Sequence, residues 1–373
     1  AGRYRDAAQH LTRAAALDSG FAIALVRAAY AYQNAGSCAS VDSIGRVLAD
    51  RRTELTPYEA AYLDRVLARC RGDWEAHLRA AKEMARLAPK SGFAALMAAR
   101  SALFVNRPRE ALAGLEQIDP ERGDLRSLAW QYYGDLLQAL HAVGDFEREL
   151  ELVRRHVGSM RVWAAATREV EALAALGRMS EVEARMADAF TERRVTGLEP
   201  FQLMLEAARE LEGHGRPEAG ASVANELAAR LDRERVQATD SAAYARLRVD
   251  ALYAAGRLDD AARLADSLLG VFPDMWQLHA ALGLVAARRG DSQGASRYSK
   301  WLQELKRPYL LGQHTLARAR IAAALGSRDE AVRLLREAMA EGVSSLNDPF
   351  HVISEFQPLR DDPAYQEMVR PKG

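Results

Sequence analysis

The sequence predicts an all-α protein, a right-handed α-α superhelix built from antiparallel helix hairpins. Turn-forming residues recur every 33 to 41 residues, and the sequence between them is rich in the helix formers Ala, Leu, Arg and Glu. A period of this length is typical of solenoids, in which each short unit buries its apolar face only by stacking on its neighbours. The turns begin at Gly2, Gly36, Gly72, Asn106, Gly144, Gly177, Gly215, Gly256, Gly290 and Gly326.

Each interval between turns contains two amphipathic helices, most clearly after Gly256. Residues 259–270 carry an apolar stripe at positions i, i+3, i+4 and i+7, and Phe272-Pro273 ends this helix because proline has no amide proton. A second helix is expected over residues 276–289, and Gly290 follows as its stop. The hairpin is therefore the repeating unit.

Small residues recur at fixed distances from the turns. The best copies are Gly2, Tyr4, Ala7 and Ala14; Gly256, Ala261 and Pro273; Gly290 and Ala295; and Gly326, Ala331 and Ala338. This pattern resembles the tetratricopeptide repeat (TPR), in which small residues stand where paired helices cross closely. The resemblance implies nine to ten repeats over residues 1–342, the first of them without its first helix, so that we expect more chain before Ala1.

The last thirty residues leave the repeat period. Two proline-bounded turns and a short helix over residues 364–369 predict a C-terminal capping segment, residues 343–373. This ending is similar to the C-terminal TPR regions of bacterial multidomain signalling proteins, notably receptor-type Ser/Thr kinases and winged-helix regulators. A bacterial source is also suggested by the bias towards Arg, since only five of the 51 basic residues are Lys.

Charge and hydropathy exclude several classes of protein. The 373 residues include 51 basic and 51 acidic side chains, so the chain lacks the basic excess that phosphate neutralisation requires, and we expect no nucleic-acid partner. In the most apolar region, the longest stretch without a charged side chain, residues 275–287, is too short to span a bilayer. A hydrophobic content of 49% is ample for a core and argues against disorder.

No catalytic, cofactor-binding or metal-binding residues are predicted. None of the eight histidines forms an HExxH motif or stands at metal-ligand spacing from a cysteine, and no glycine-rich phosphate loop is present. Carboxylates occur on every helix, so that a pair for acid–base chemistry cannot be told from a solvated helix face. The sequence therefore predicts a protein that is not an enzyme.

The two cysteines, Cys38 and Cys70, flank turns of adjacent repeats. Stacked hairpins would place them at the same edge, with Cα atoms within about 8 Å, close to the limit for bridging. Two interpretations stay open, namely two buried free thiols or a disulfide. A disulfide indicates an extracytoplasmic location, whereas free thiols leave the compartment unknown or cytoplasmic.

The first helix of each hairpin should face a concave groove that binds a polypeptide partner. The helical register places ten polar or aromatic residues there: Arg246, Arg288, Arg320, Arg209, Asp250, Tyr30, Tyr62, Arg100, Gln131 and Gln138. Arg and Tyr often anchor interfaces, so the groove favours an acidic or hydrogen-bonding segment, with Arg246, Arg288 and Arg320 as leading anchors. The alternative is that these arginines only pair with carboxylates on neighbouring helices.

Three functions compete on this evidence. The first is a non-catalytic interaction and sensing solenoid, the C-terminal part of a larger bacterial signalling protein. The second is a self-contained scaffold that assembles a cell-envelope or secretion complex. The third is an enzyme or small-molecule binder that uses the groove, which would need a pocket with convergent polar groups.

Overall fold

The computed structural model of the chain describes residues 2–192, 197–233 and 241–373. Helices account for 78% of the structure, and the described residues form no strand, which confirms the all-α prediction. None of the described helices is long and apolar enough to cross a membrane.

The fold is a stack of antiparallel helix hairpins that follows a single helix, α1 (Gly2–Leu17). Nine hairpins can be counted in the described ranges. The first five are α2 (Ala22–Asn34) with α3 (Cys38–Ala49), α4 (Pro57–Arg71) with α5 (Trp74–Leu87), α6 (Gly92–Phe104) with α7 (Pro108–Leu115), α8 (Ala129–Val143) with α9 (Phe146–His156), and α10 (Val162–Leu176) with α11 (Met179–Thr191). The last four are α12 (Glu199–Gly213) with α13 (Pro217–Arg233), α14 (Ser241–Ala254) with α15 (Leu258–Leu269), α16 (Trp276–Arg288) with α17 (Ser292–Glu304), and α18 (Gln313–Ala324) with α19 (Arg328–Glu341).

The nine turns inside these hairpins coincide with the breakers predicted from Gly36 to Gly326. Eight carry a glycine in the left-handed region, where a side chain is disfavoured, and the ninth carries Asn106 with φ 56°. The turn after α4 is representative, since the amides of Gly72 and Asp73 donate to the carbonyls of Arg69 and Ala68.

Small residues lie where the helices cross, as predicted. Ala261, Ala295 and Ala331 have no exposed surface. Beside one crossing, a Cβ built on Gly283 would lie 2.6 Å from Ile321 Cδ1 and 3.0 Å from Tyr298 Cβ. The helices of α16, α17 and α18 thus approach too closely for larger side chains at these positions.

The even-numbered helices α2 to α18 line what we call the inner face. Successive even-numbered helices contact one another along most of the chain, whereas the odd-numbered helices mainly contact the even-numbered helices on either side. Neighbouring repeats are therefore closest on the side of the even-numbered helices, which is where a curved stack has its concave surface.

The superhelix returns onto its own beginning. Trp74 Nε1 donates a 2.7 Å hydrogen bond to the carbonyl of Gly342, at the end of α19. Gly72 packs directly on Gly342, since a Cβ on Gly72 would lie only 2.6 Å from Gly342 Cα. Nearby, the Tyr309 hydroxyl donates to Asp42 on α3 at 2.7 Å. The last hairpins thus close against α3, the end of α4 and α5.

Residues 343–373, which we call the C-terminal segment, do more than cover the last hairpin. Two 3-10 turns, Phe350–Val352 and Ser354–Leu359, precede α20 (Pro363–Val369), and Phe356, Leu359 and Tyr365 pack with α18 and α19. The segment also contacts α12 on the inner face. Its far end reaches the turn at Asn106, whose side-chain amide donates to the carbonyls of Val369 and Arg370 at 3.0 Å each.

Candidate functional site

The residues predicted to line the groove lie in three places in the structure. Arg209, Asp250, Arg246 and Arg320 converge around a polar cavity of about 260 Å³ in the C-terminal half of the inner face. Tyr30, Tyr62 and Arg100 lie on α2, α4 and α6 in the N-terminal half. Gln131 and Gln138 lie on α8, and Gln138 lines a different, mostly apolar cavity.

In the C-terminal half, the arginines contact groups of the chain itself. Arg320 Nε donates to Glu355 of the C-terminal segment at 2.9 Å, and the Tyr253 hydroxyl donates to the same carboxylate at 2.5 Å. Burial raises the pKa of Glu355, but the Arg320 guanidinium outweighs it and leaves the pKa below its usual range. Arg320 is thus bound by an acidic residue of its own chain.

The other three arginines that were predicted to line this half of the groove have weaker partners. Arg209 and Arg246 lie 3.4 and 3.6 Å from Asp250, and Arg288 lies over the ring of Tyr253 at 4.8 Å. The Arg246 side chain remains 54% exposed, against 34% for Arg209 and 31% for Arg320, and Arg288 is exposed as well. Of these contacts, only that between Arg209 and Asp250 joins an arginine to a carboxylate on a neighbouring helix, since Arg246 and Asp250 both lie on α14 and Arg288 contacts a ring.

In the N-terminal half, cationic side chains outnumber their carboxylate partners. Arg69 and Arg100 lie over the ring of Phe104 at 5.7 and 5.8 Å, and Arg65 lies over the ring of Tyr62 at 5.3 Å. We call Arg65, Arg69 and Arg100 the arginine cluster. Its carboxylate is Asp135, 2.5 Å from Arg100; within the described ranges, no ion pair joins Arg65 or Arg69 to a carboxylate.

Burial shifts the pKa values around the arginine cluster. It lowers the pKa of Arg69 to about 10, with Arg100 and Arg65 adding to the effect. It raises the pKa of Asp135 to about 6, although Arg100 pulls in the opposite direction. The buried Arg65 Nε and Nη2 atoms make no hydrogen bond. The cluster is therefore a partly desolvated region with excess positive charge.

The structure joins Cys38 and Cys70 by a disulfide, with Cα atoms 5.4 Å apart. The bond connects the first residue of α3 to the end of α4, the shared edge that the repeat register predicts.

A second site, which the sequence did not predict, brings together His141, Glu210, His214 and His351. One ligand atom from each residue lies within 4.8 Å of the others, an arrangement that could hold a metal ion. His141 comes from α8, Glu210 lies on α12 and His214 directly follows that helix, and His351 belongs to the C-terminal segment. We call these four residues the histidine cluster.

The Glu210 carboxylate is the centre of the histidine cluster. Its Oε2 atom lies 3.1 Å from His351 Nε2, 3.3 Å from His214 Nε2 and 3.6 Å from His141 Nε2. Burial raises the pKa of Glu210, but the surrounding imidazoles outweigh it and hold the pKa well below its usual range.

A further carboxylate supports the cluster from behind. His141 Nδ1 lies 2.8 Å from Glu149 Oε2, and Glu149 has no exposed surface. Burial lowers the pKa of His141, but Glu149 and Glu210 together raise it to about 10. Nearby, burial raises the pKa of Glu171 to about 8, although Arg168 opposes this at 2.7 Å. Carboxylates thus dominate the electrostatics of this region.

The histidine cluster borders a cavity of about 480 Å³ between the inner face and the C-terminal segment. Three of its histidines line the cavity, and the other walls are mostly apolar, among them Leu103, Phe146, Leu346 and Phe350.

Sequence reasoning missed the histidine cluster because its members come from three distant parts of the chain. The one local signal is the spacing of Glu210 and His214, since residues at i and i+4 share a helix face. No spacing in the sequence relates them to His141 or His351, which only the path of the C-terminal segment brings close.

No protein-family model matches the chain, and no curated protein matches it in sequence. Among solved structures, it is similar to the pentatricopeptide repeat protein PPR10 from maize, with 13% identity and a TM-score of 0.40 over 97% of this chain. It is also similar to a structure of Naa15/Naa10 bound to HypK-THB, with 14% identity and a TM-score of 0.29 over 93% of this chain. The chain spans 56% and 61% of the lengths of these two proteins.

Proposed function

We propose that this chain is a non-catalytic interaction solenoid that binds an acidic polypeptide segment on its inner face. The arginine cluster carries the proposal. Of its three guanidinium groups, that of Arg100 pairs with Asp135, and within the described residues those of Arg65 and Arg69 pair with no carboxylate, in a region where burial already lowers the pKa of Arg69 to about 10. A carboxylate supplied by a partner would relieve this excess charge and form charge-assisted hydrogen bonds.

The neighbouring aromatic residues suit a peptide. The Tyr30 and Tyr62 rings lie 5.6 Å apart, and Phe93 lies 6.0 Å from Tyr62. Arginine and tyrosine are the residue types that most often dominate binding energy at interfaces. Because the net charge of the whole chain is zero, this local excess favours an acidic peptide over a nucleic acid with many phosphates.

The C-terminal half of the inner face is a second contact region in this proposal. Arg246 and Arg288 are exposed cations of this region, while Arg320 already binds Glu355. In this contact, an acidic residue of the C-terminal segment binds the C-terminal half of the inner face, as we propose that a partner peptide does.

The wider context is also part of the proposal. The TPR-like pattern and the proline-rich ending support a place in a bacterial signalling protein; assembly of a cell-envelope complex is the alternative. The disulfide between Cys38 and Cys70 supports an oxidising, extracytoplasmic compartment.

A displayed random-peptide selection on the folded chain tests the proposed function. We expect the selected peptides to be enriched in Asp and Glu, and Glu→Gln versions of the best peptide to bind at least tenfold more weakly, about 1.4 kcal/mol. Arg69→Ala should weaken binding by a similar factor. The matched control is Arg71→Ala, which removes the same charge from an exposed position two residues further along the chain.

Two results would contradict this proposal. One is an equal affinity of the Arg69 and Arg71 variants for the acidic peptide; the other is tighter binding of a single-stranded RNA oligonucleotide than of any selected peptide. A loss confined to the double variant Arg246→Ala with Arg288→Ala would move the contact to the C-terminal half.

A further inference from the structure

We propose that the histidine cluster is a zinc site, in which His141, Glu210, His214 and His351 bind one Zn²⁺ ion and fasten the C-terminal segment to the inner face. The inference is independent of the proposed peptide binding. It starts from the convergence of four ligand atoms, three imidazole nitrogens and one carboxylate oxygen, within 4.8 Å of one another.

The spacing of these atoms fits a tetrahedral zinc ion. Zn–N and Zn–O bonds are about 2.0–2.2 Å long, so adjacent ligand atoms in a tetrahedron lie about 3.3–3.6 Å apart. The three distances from Glu210 Oε2 to imidazole nitrogens are 3.1, 3.3 and 3.6 Å. The Nε2 atoms of His141 and His351 are 3.4 Å apart. Four of the six distances between pairs of ligand atoms are therefore already close to those of a tetrahedral zinc site.

The hydrogen bonding of the cluster is incomplete without an ion. His214 Nε2 is buried and makes no hydrogen bond, although it lies 3.3 Å from Glu210 Oε2. A buried nitrogen without a partner is costly, and a metal ion would satisfy its lone pair. The same nitrogen is one of the four atoms that converge on the site.

Glu149 provides the support that metal-binding histidines usually have. When His141 Nδ1 donates its proton to Glu149 at 2.8 Å, the lone pair of Nε2 is left facing the other three ligands. A carboxylate behind a ligating imidazole fixes its tautomer and orientation in this way. Glu149 is fully buried, so its charge is poorly screened and favours a cation in the cluster.

The donor set indicates which metal and which role. Three imidazoles with one carboxylate suit Zn²⁺ better than Mg²⁺ or Ca²⁺, which prefer all-oxygen sites. Four protein ligands fill a tetrahedron and leave no open position for a substrate, as in structural zinc sites. The ligands join α8, the end of α12 and the 3-10 turn Phe350–Val352, so the ion would clamp the C-terminal segment.

Protons are the competing occupants of the cluster. A protonated histidine network around Glu210 would also hold the segment, without any metal. The two cases differ in stoichiometric metal uptake and in the effect of a chelator at constant pH.

The test uses the whole chain, expressed without a polyhistidine tag and stripped with a chelator. We expect one Zn²⁺ per chain in a competition titration, and intense visible absorption bands of tetrahedral geometry when Co²⁺ replaces zinc. His214→Ala and His351→Ala should each weaken Zn²⁺ binding at least tenfold. The matched control, His279→Ala, removes a partly buried imidazole that stacks on Trp301 at 3.7 Å and should bind normally.

A second measurement keeps the test decisive if one variant folds poorly. Hydrogen exchange of residues 343–373 in the unmodified chain should slow on zinc addition and speed up again on chelation. Wild-type chain that takes up no stoichiometric Zn²⁺, or ligand variants that bind it as tightly as His279→Ala does, would overturn the proposal. A hydrogen-exchange rate of residues 343–373 that does not change when zinc is added would also overturn the proposal.

Discussion

The closure of the superhelix can be tested at Gly72, where two glycines meet. Gly72 ends α4 in the left-handed region, with φ 73°, and a Cβ there would lie 2.6 Å from Gly342 Cα and 2.7 Å from the carbonyl oxygen of Glu341. Both of these are backbone atoms, so no side chain can move aside. Gly72→Ala should therefore force α4 and the end of α19 apart.

Gly256 supplies the matched control, because it has the same role without the contact. Its φ is 72°, and a Cβ there would meet nothing within 4 Å. An alanine at either glycine costs about 1–2 kcal/mol for the left-handed conformation. Only Gly72→Ala should incur a further 1–3 kcal/mol for overpacking against Gly342.

Hydrogen exchange at the end of α19 is the most direct assay. The amide of Val343 donates to the carbonyl of Ala338 at 2.9 Å, and it is far from Gly72 in sequence. We expect Gly72→Ala to accelerate exchange of this amide about five- to 150-fold, the factor that corresponds to 1–3 kcal/mol. Gly256→Ala should leave it unchanged. Equal behaviour of the two variants at Val343 would refute the closure.

Three further predictions concern stability. Replacing Cys38 and Cys70 by serine should lower the free energy of unfolding by about 3–4 kcal/mol, since the bridge closes a loop with a sequence separation of 32; equal stabilities of the oxidised protein and the variant in denaturant titrations would contradict this. Ala295→Leu should cost about 1–3 kcal/mol at a crossing with no free surface, and an unchanged thermal midpoint would show that the crossing is not tight. Asp135 has a pKa of about 6 in the folded protein, against about 3.9 in unfolded chains, so the folded state binds the proton of this carboxyl more tightly. As the pH rises from 4 to 6, the free energy of unfolding of the wild type should therefore fall by up to about 3 kcal/mol relative to that of Asp135→Asn. A difference between the two proteins that does not change with pH in urea unfolding would contradict this.

The sequence predicted local features better than distant contacts. Turn glycines, helix stripes and close crossings are encoded within a few residues, so the helix expected over residues 276–289 appears as Trp276–Arg288. The closure at Gly72 could not be predicted, because this glycine looks like every other turn glycine in the chain. Only the accumulated curvature of the repeats brings it to Gly342.

On the inner face, too, features set by nearby residues could be predicted from the sequence, whereas contacts between distant parts of the chain could not. Arg209, Arg246 and Arg320 line one cavity, and their shared position on first helices could be read from helical register, which is a local property. Register could not indicate that Glu355 binds Arg320, since the C-terminal segment has no helical period that fixes its path. The histidine cluster depends on that same path through His351.

The C-terminal segment couples the two proposed sites. A peptide that binds at Arg320 has to displace Glu355, and the displaced segment carries His351 away from the zinc ligands. Zinc should then weaken such a peptide, and by linkage the peptide should weaken zinc by the same factor. A peptide at the arginine cluster around Arg69 displaces nothing that holds the metal, so its affinity should be independent of zinc. Measuring peptide affinity with and without Zn²⁺ therefore distinguishes the two halves of the inner face as the binding surface.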